Sequence, residues 1–395
     1  MPTNSSLDPA RIFTEASQER FQDSYRRWQG IPSIEVTDKG RIFVNFYSGQ
    51  DAEVGGNIMV LCVSDDGGAS FRSCEAVVEH PDPACRIYDP CLWIDPHKVL
   101  WMTWTQARGF NDGRSGVWVS LCKNPDAEHL TWTAPRRIAN GIMMNKPLVT
   151  SKGEWLFPTA IWCDTSGSIP TERHGLEAEQ FSNVYASSDE GKTICLRGHA
   201  DIPHRSFDEN MIVEKKDGTL WMLTRTFDGI GESFSNDGGY TWTPGRKSHI
   251  DGPCSRFHIR RLKSGRLLMI NHYQFDQRID LDDIMRQGNV KSWKGRSHLT
   301  ALLSEDDGKN LAVYSSFGRA ERSILSGCQR GRRRIYLRDL RLGTSHAKRN
   351  SDGPLYGGRH FKGAAFFSKR KTAYFGKQSD RTTGYSLKSA KGAVF

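Results

Sequence analysis

Ser235-Asn236-Asp237-Gly238-Gly239-Tyr240-Thr241-Trp242 reads as a turn stapled by its own side chains. Its pattern, Ser-x-Asp-x-Gly-x-x-Trp/Phe, returns as Ser64, Asp66, Gly68 and Phe71. Weaker copies run through Ser187, Asp189, Gly191 and Ile194, and through Ser304, Asp306, Gly308 and Leu311. Asp can accept backbone N–H groups across such a turn, Gly supplies a positive φ, and the aromatic tucks beneath. One copy would carry little weight. Four copies make a repeat.

A second unit interleaves with the first and reads turn, Gly, apolar strand. It occurs at Asp38-Lys39-Gly40 before Ile42-Phe43, and at Ser151-Lys152-Gly153 before Trp155-Leu156. Asp217-Gly218 before Leu220-Trp221-Met222 and Ser264-Gly265 before Leu267-Leu268 follow. A fifth copy, Asp95-Pro96-His97-Lys98 before Val99-Leu100-Trp101, lacks the glycine. Tight turns feeding apolar strands every ~50–65 residues fit the four-stranded blades of an all-β propeller. Helical signal is confined to the first 28 residues and to Asp280–Arg286. The expected organisation is a lead-in over 1–27, a propeller over 28–308 and a basic tail over 309–395.

The chain of 395 residues is long enough for a large core. No run approaches the ~18 apolar residues of a membrane span, so no membrane partner is expected. Met-Pro-Thr-Asn-Ser-Ser is not a basic start followed by an apolar run, so no secretory leader is read. Nine scattered cysteines without a Cys-x-x-Cys pair point to free thiols and a cytoplasmic location. There is no metal motif, phosphate loop or dinucleotide fingerprint, so neither metal nor cofactor is expected. The net charge of +10 is unevenly placed. Residues 309–395 hold 20 Lys+Arg against 4 Asp+Glu, which leaves the first 308 residues at −6.

The boxes and four further segments resemble the sialidase superfamily of Asp-box (BNR-repeat) glycoside hydrolases over roughly residues 25–308. That resemblance implies a six-bladed β-propeller with a central site. There three arginines hold a substrate carboxylate, a Tyr assisted by a Glu is the nucleophile, and a loop Asp is the acid/base. It places the Glu at Glu209, within Phe207-Asp208-Glu209-Asn210-Met211, and arginines at Arg225 and at Arg296. The acid/base loop falls on Ser48–Val54, where Asp51 and Glu53 both qualify. Where the family begins its first blade with Arg-Ile-Pro, this chain has Gly30-Ile31-Pro32, which removes one carboxylate clamp. Trp28 and Gln29 are read as a sugar platform, and Arg86 and Asp89 as substrate-binding residues of an inner strand. Asn145-Lys146-Pro147 and Ser255-Arg256-Phe257 are weaker candidates of the same kind, while His204 and His258 read as structural. Each assignment competes with an ordinary solvated side chain.

After Gly308 the rhythm stops, and Arg330-Gly331-Arg332-Arg333-Arg334 and Ser368-Lys369-Arg370-Lys371 follow. A nucleic-acid-binding arm, an unstructured tail and a one-base frameshift all fit this composition. The frameshift is the leading expectation, because a shifted frame from Asn310 permits a Trp opposite Leu311 and a Tyr opposite Leu325. The sixth blade is then disrupted, and the chain as given lacks the Tyr nucleophile. The expected function is a sialidase-like hydrolase of terminal sugars, anionic ones among them, impaired in this form. A carbohydrate-binding propeller without turnover is the alternative, and a nucleic-acid binder ranks below both.

Overall fold

The computed structural model describes residues 5–50, 52–162, 175–273, 298–317 and 347–348. Among them, five antiparallel sheets follow one another in chain order. Blade 1 runs Trp28–Val36, Ile42–Gly49, Ile58–Ser64, Arg72–Glu79, and blade 2 runs Cys85–Ile94, Leu100–Arg108, Gly116–Cys122, Arg136–Asn140. Blade 3 runs Leu148–Val149, Trp155–Ala160, Ser182–Ser187, Cys195–Ala200. Blade 4 runs Arg205–Glu214, Leu220–Thr226, Gly229–Ser235, Arg246–Lys247. Blade 5 runs His258–Arg261, Leu267–His272, Leu299–Ser304, Ala312–Phe317. First strands of neighbouring blades pack together in three of the pairs (1 with 2, 3 with 4, 4 with 5), which makes them the inner strands of the ring.

Six blades were expected, and the described residues form five. The five turn-Gly-strand units of the sequence each become the hairpin between a blade's first two strands, one per blade. The sixth came from the family resemblance alone and had no unit of its own. Nor is the last described blade disrupted. Its fourth strand, Ala312–Phe317, pairs with Leu299–Leu303 beyond the box at Ser304, with one register shift at Tyr314. Leu311, standing where an aromatic was expected, packs against the core between blades 4 and 5. Most of the tail, with Leu325 and the basic runs, lies outside the described residues. So does Asp280–Arg286.

Over its described residues, 5–27, the lead-in is not α-helical. It holds two single 3-10 turns, Ser5–Leu7 and Glu19–Phe21, and a strand, Arg11–Thr14. That strand extends the outer edge of blade 1 by pairing with Ala76–Glu79. Ala347–Lys348 pairs with Trp28 and Gln29 on the inner edge of the same sheet.

The four boxes share one hydrogen-bond scheme. In each, the Ser hydroxyl donates to the Asp at 2.7–2.8 Å, and the box Gly N–H donates to the Ser oxygen at 2.8–2.9 Å. The same Asp then accepts the N–H of Ser70, Thr193, Thr241 or Asn310. Each box closes the turn between a blade's third and fourth strands. Two press directly on an indole of the preceding blade. A Cβ on Gly191 of blade 3 would stand 2.5 Å from the Trp101 ring of blade 2, and one on Gly308 of blade 5 would stand 2.3 Å from Trp221 of blade 4. Between these points run apolar seams, such as Trp93 and Trp101 against Trp155 and Phe157.

Two predictions follow from the boxes. Gly191→Ala and Gly308→Ala, at φ +79 and +85, will each cost about 2–4 kcal/mol in urea unfolding, backbone strain plus overpacking. Gly265→Ala has a similar φ of +82 and open space around it, so it will show only the backbone share of about 1–2 kcal/mol. Backbone N–H groups of Thr193 and Asn310, with neighbouring side chains, hold Asp189 and Asp306 down to about 2. A folded value below the unfolded one stabilises fully above about pH 4 and is lost as pH falls toward 2. Melting curves will therefore drop across that window, and Asp189→Asn will flatten its share of the drop.

Candidate active site

Three inner strands lose register at comparable points along their length. The breaks lie between Gln29 and Pro32 in blade 1, Tyr88 and Cys91 in blade 2, and Arg205 and Asn210 in blade 4. Within two of them, Asp89 and Phe207 take φ of +45° and +55°, a left-handed backbone that is uncommon outside glycine and more so for Phe than for Asp. A bulge re-aims its side chains out of the regular alternation of a strand. Here the re-aimed residues meet.

From blade 4, Glu209 accepts a hydrogen bond from Arg225 Nη1 at 3.0 Å, both side chains buried. The two lie on the first hairpin of that blade, across Asp217-Gly218. Arg225 Nε also points at Cys254 Sγ, 3.3 Å away. Burial works against the charge of Arg225, but Glu209 and Cys254 outweigh it and hold the guanidinium firmly protonated. From blade 2, Arg86 is fully buried with its guanidinium 3.8 Å from the Tyr88 ring centre and 4.4 Å from that of Phe110. Its Nη1 lies 3.5 Å from Glu53 Oε2. Arg256, just before blade 5, donates to Met144 O and to Asn145 Oδ1, the latter at 3.2 Å. Asn145 in turn donates to Asn210 O at 2.8 Å, which ties blades 3, 4 and 5 together.

Asp89 belongs to the same cluster. Its carboxyl is buried, and burial together with Glu53 and Glu209 pushes it up to about 8, with Arg86 and Arg256 pulling the other way. Several arginine donors have no acceptor among the described residues: Nε and Nη2 of Arg86, Nη2 of Arg225, and Nε and Nη1 of Arg256. Glu209 Oε2 likewise has no donor among them. Leaving a buried polar atom without a partner costs about 1–3 kcal/mol, and six such atoms belong to this cluster.

The position of the family's first arginine is filled differently. A Cβ on Gly30 would lie 2.3 Å from the Tyr47 ring, so glycine there gives that ring its room. Tyr47 is buried edge-on against Trp28 and donates its hydroxyl to Glu53 Oε1 at 2.6 Å. Burial, Asp89 and Glu53 push its pKa well above the usual phenol value, so the hydroxyl holds its proton.

The sequence candidates thus divide. Glu53, Arg86, Asp89, Glu209 and Arg225 come together. Trp28 is buried behind Tyr47, and Gln29 is half-buried on the innermost strand of blade 1. Asp51 and Arg296 lie outside the described residues. Arg256 and Asn145, weaker candidates, join the cluster, whereas Lys146 pairs with Glu35 at 2.5 Å across the ring. Tyr47 and Cys254 were missed, since in the sequence they read as a core aromatic and a scattered cysteine. Behind the Glu53 loop lies a cleft of about 740 Å³ lined by Arg11, Tyr25 and His80. No helix among the described residues is long and apolar enough to cross a membrane.

The BNR repeat-like domain model matches residues 82–315. Similar folds include a mutant of Trypanosoma rangeli sialidase displaying trans-sialidase activity, at 15% identity over 80% of this chain and 52% of that one, with a TM-score of 0.53. Trypanosoma rangeli sialidase in complex with sialic acid matches at 15% identity over 76% of this chain and 50% of its own, with a TM-score of 0.50. The chain therefore spans about half the length of these two structures. A Dyadobacter fermentans protein of unknown function matches at 17% identity over 67% and 79%, with a TM-score of 0.48. A search of curated protein sequences found no match. At such identities the structural likeness is one of fold. The family match spans more than half of the chain, which belongs to the BNR repeat-like domain family and has the fold of the sialidase superfamily.

Proposed function

We propose that this chain is a sialidase-like glycoside hydrolase acting on a terminal sugar that carries an acidic group. The observation behind this reading is the set of buried arginine donors left open around Glu53, Asp89 and Glu209. Arginine edges recognise planar anions bidentately, and carboxylates stabilise the positive charge that develops at an anomeric carbon. In this reading Arg86, Arg225 and Arg256 bind the acidic substituent, with Arg296 a further proposed member. Glu209 supports the nucleophile, and Asp51 or Glu53 belongs to the acid/base loop. Arg256 is the charge-specific member, because its hydrogen bonds go to neutral oxygens while Arg86 and Arg225 each form an ion pair with a carboxylate.

A non-catalytic carbohydrate-binding propeller is the second reading. It is favoured by the engagement of Glu53 and Glu209 in ion pairs within the cluster. Turnover separates the two. Aryl glycosides of acidic and neutral sugars offered to the whole chain will be hydrolysed in the first reading, and only bound, by calorimetry, in the second. Loss of charge-assisted hydrogen bonds predicts that Arg256→Lys and Arg256→Ala raise KM for acidic glycosides about 10- to 100-fold. KM for neutral ones will move less than threefold. Equal losses on both classes would assign Arg256 to the fold instead.

A further inference from the structure

We propose that Asn57 is a positioning residue of this site, the side chain that holds the acid/base loop in place beside Arg86. The assignment rests on the hydrolase reading above, which gives that loop the proton donor. Its ground is the way the loop closes. Asn57 is 1% exposed, and its side chain reaches back across the loop. Oδ1 accepts the Val54 N–H at 3.0 Å, and Nδ2 donates to Ala52 O at 3.0 Å. Those atoms belong to the two peptide groups on either side of Glu53. One amide therefore restrains both backbone angles of Glu53.

The same residue indexes the loop to blade 2. Asn57 O accepts the Ile87 N–H at 2.9 Å, and the Gly56 N–H donates to Cys85 O at 2.7 Å. Arg86 lies between those two bonded residues. The backbone that carries Arg86 and the backbone that carries Glu53 are thus both tied to Asn57, one through its main chain and one through its side chain. Their side chains then meet. Glu53 accepts the Tyr47 hydroxyl at 2.6 Å on Oε1 and faces Arg86 Nη1 at 3.5 Å with Oε2. The local sequence makes room for this clasp. A Cβ on Gly49 would lie 2.1 Å from Asn57 Nδ2, and one on Gly55 would lie 2.8 Å from Ala84 O. Glycine stands at each position because the loop packs closer than a side chain permits.

What the clasp contributes follows from the chemistry of the loop. A proton passes from a loop carboxyl to the glycosidic oxygen, the bond from that oxygen to the anomeric carbon breaks, and its electron pair stays on the leaving alcohol. Water finally adds at the anomeric carbon, and the proton it sheds returns to the carboxylate. Such a donor must lie within hydrogen-bond reach of the oxygen, and a misplacement of about 1 Å costs about 100-fold. A leaving group that departs as a stable anion needs no proton, so its rate does not depend on where the loop sits. Arg225 and Arg256 belong to other blades and make no hydrogen bond to the clasp, so affinity for an acidic sugar is kept.

The test uses the full chain and two variants. Asn57→Ala removes both side-chain bonds, and Gly49→Ala drives the amide off Ala52 O while Asn57 stays in place. The substrates are a methyl glycoside and a 2,4-dinitrophenyl glycoside of one acidic sugar. Both variants are expected to lose about 10- to 100-fold in kcat on the methyl glycoside and less than about threefold on the dinitrophenyl one. KM will stay within about threefold on each. Gly308→Ala, weakened at the seam between blades 4 and 5, will keep both rates, which separates positioning from loss of stability. Amide exchange reads the clasp without turnover: the Val54 N–H will exchange at least about tenfold faster in both variants than in the wild type. Equal losses on the two glycosides, an unchanged kcat, or an unchanged Val54 amide would overturn the assignment and leave the hydrolase reading standing. No turnover of any glycoside by the wild type would overturn both. Should Asn57→Ala fail to fold, Gly49→Ala decides by the same criteria.

Discussion

A blade of this molecule has two apolar faces and can bury them only against its neighbours. The seams that result, Trp93 and Trp101 on Trp155 or Trp221 over Gly308, fix each sheet relative to the next. Everything nearer the ring's centre inherits that placement. The boxes serve the same constraint, since a Ser–Asp–Gly turn tied at 2.7–2.9 Å brings its glycine flat enough for a neighbouring indole to lie on it.

Toward the axis the constraint changes sign. Inner strands from five blades crowd polar side chains together, and buried charge is tolerated only when paired. Lys146 and Glu35 meet this rule fully, with Nζ also donating to Ile34 O and the carboxylate accepting Ile94 N–H. The cluster around Asp89 meets it only in part. Removing one partner of such buried pairs typically costs 3–5 kcal/mol, so the same residues are needed for the ring and for whatever the open donors receive.

The boxes were legible because their bonds span two to four residues and the chemistry is written in one octet. The blade count was legible too, as five turn-Gly-strand units, and was obscured by the six that the family resemblance implied. Glu209 and Arg225 could be paired from sequence because one hairpin holds both. Arg256 could not be tied to Met144 and Asn145, which lie more than a hundred residues upstream. Tyr47 reads as a core aromatic until Gly30 is seen beneath its ring. Asp89 is pushed up by burial first and then by carboxyls from a loop and from another blade, and no local pattern encodes that combination.

The bulges carry one more consequence. Where an inner strand slips register, the ladder that protects backbone amides from solvent is interrupted. Amide hydrogen exchange follows such local openings rather than distance from the surface. The propeller should then show a narrow belt of early-exchanging amides around Gln29–Pro32, Tyr88–Cys91 and Arg205–Asn210. The second strands would separate it from the further register shifts that the third strands carry at Leu61–Val63, Val117–Trp118, Val184–Tyr185 and Ala301–Leu302. In this ring, nearness to the axis does not by itself make the backbone firm.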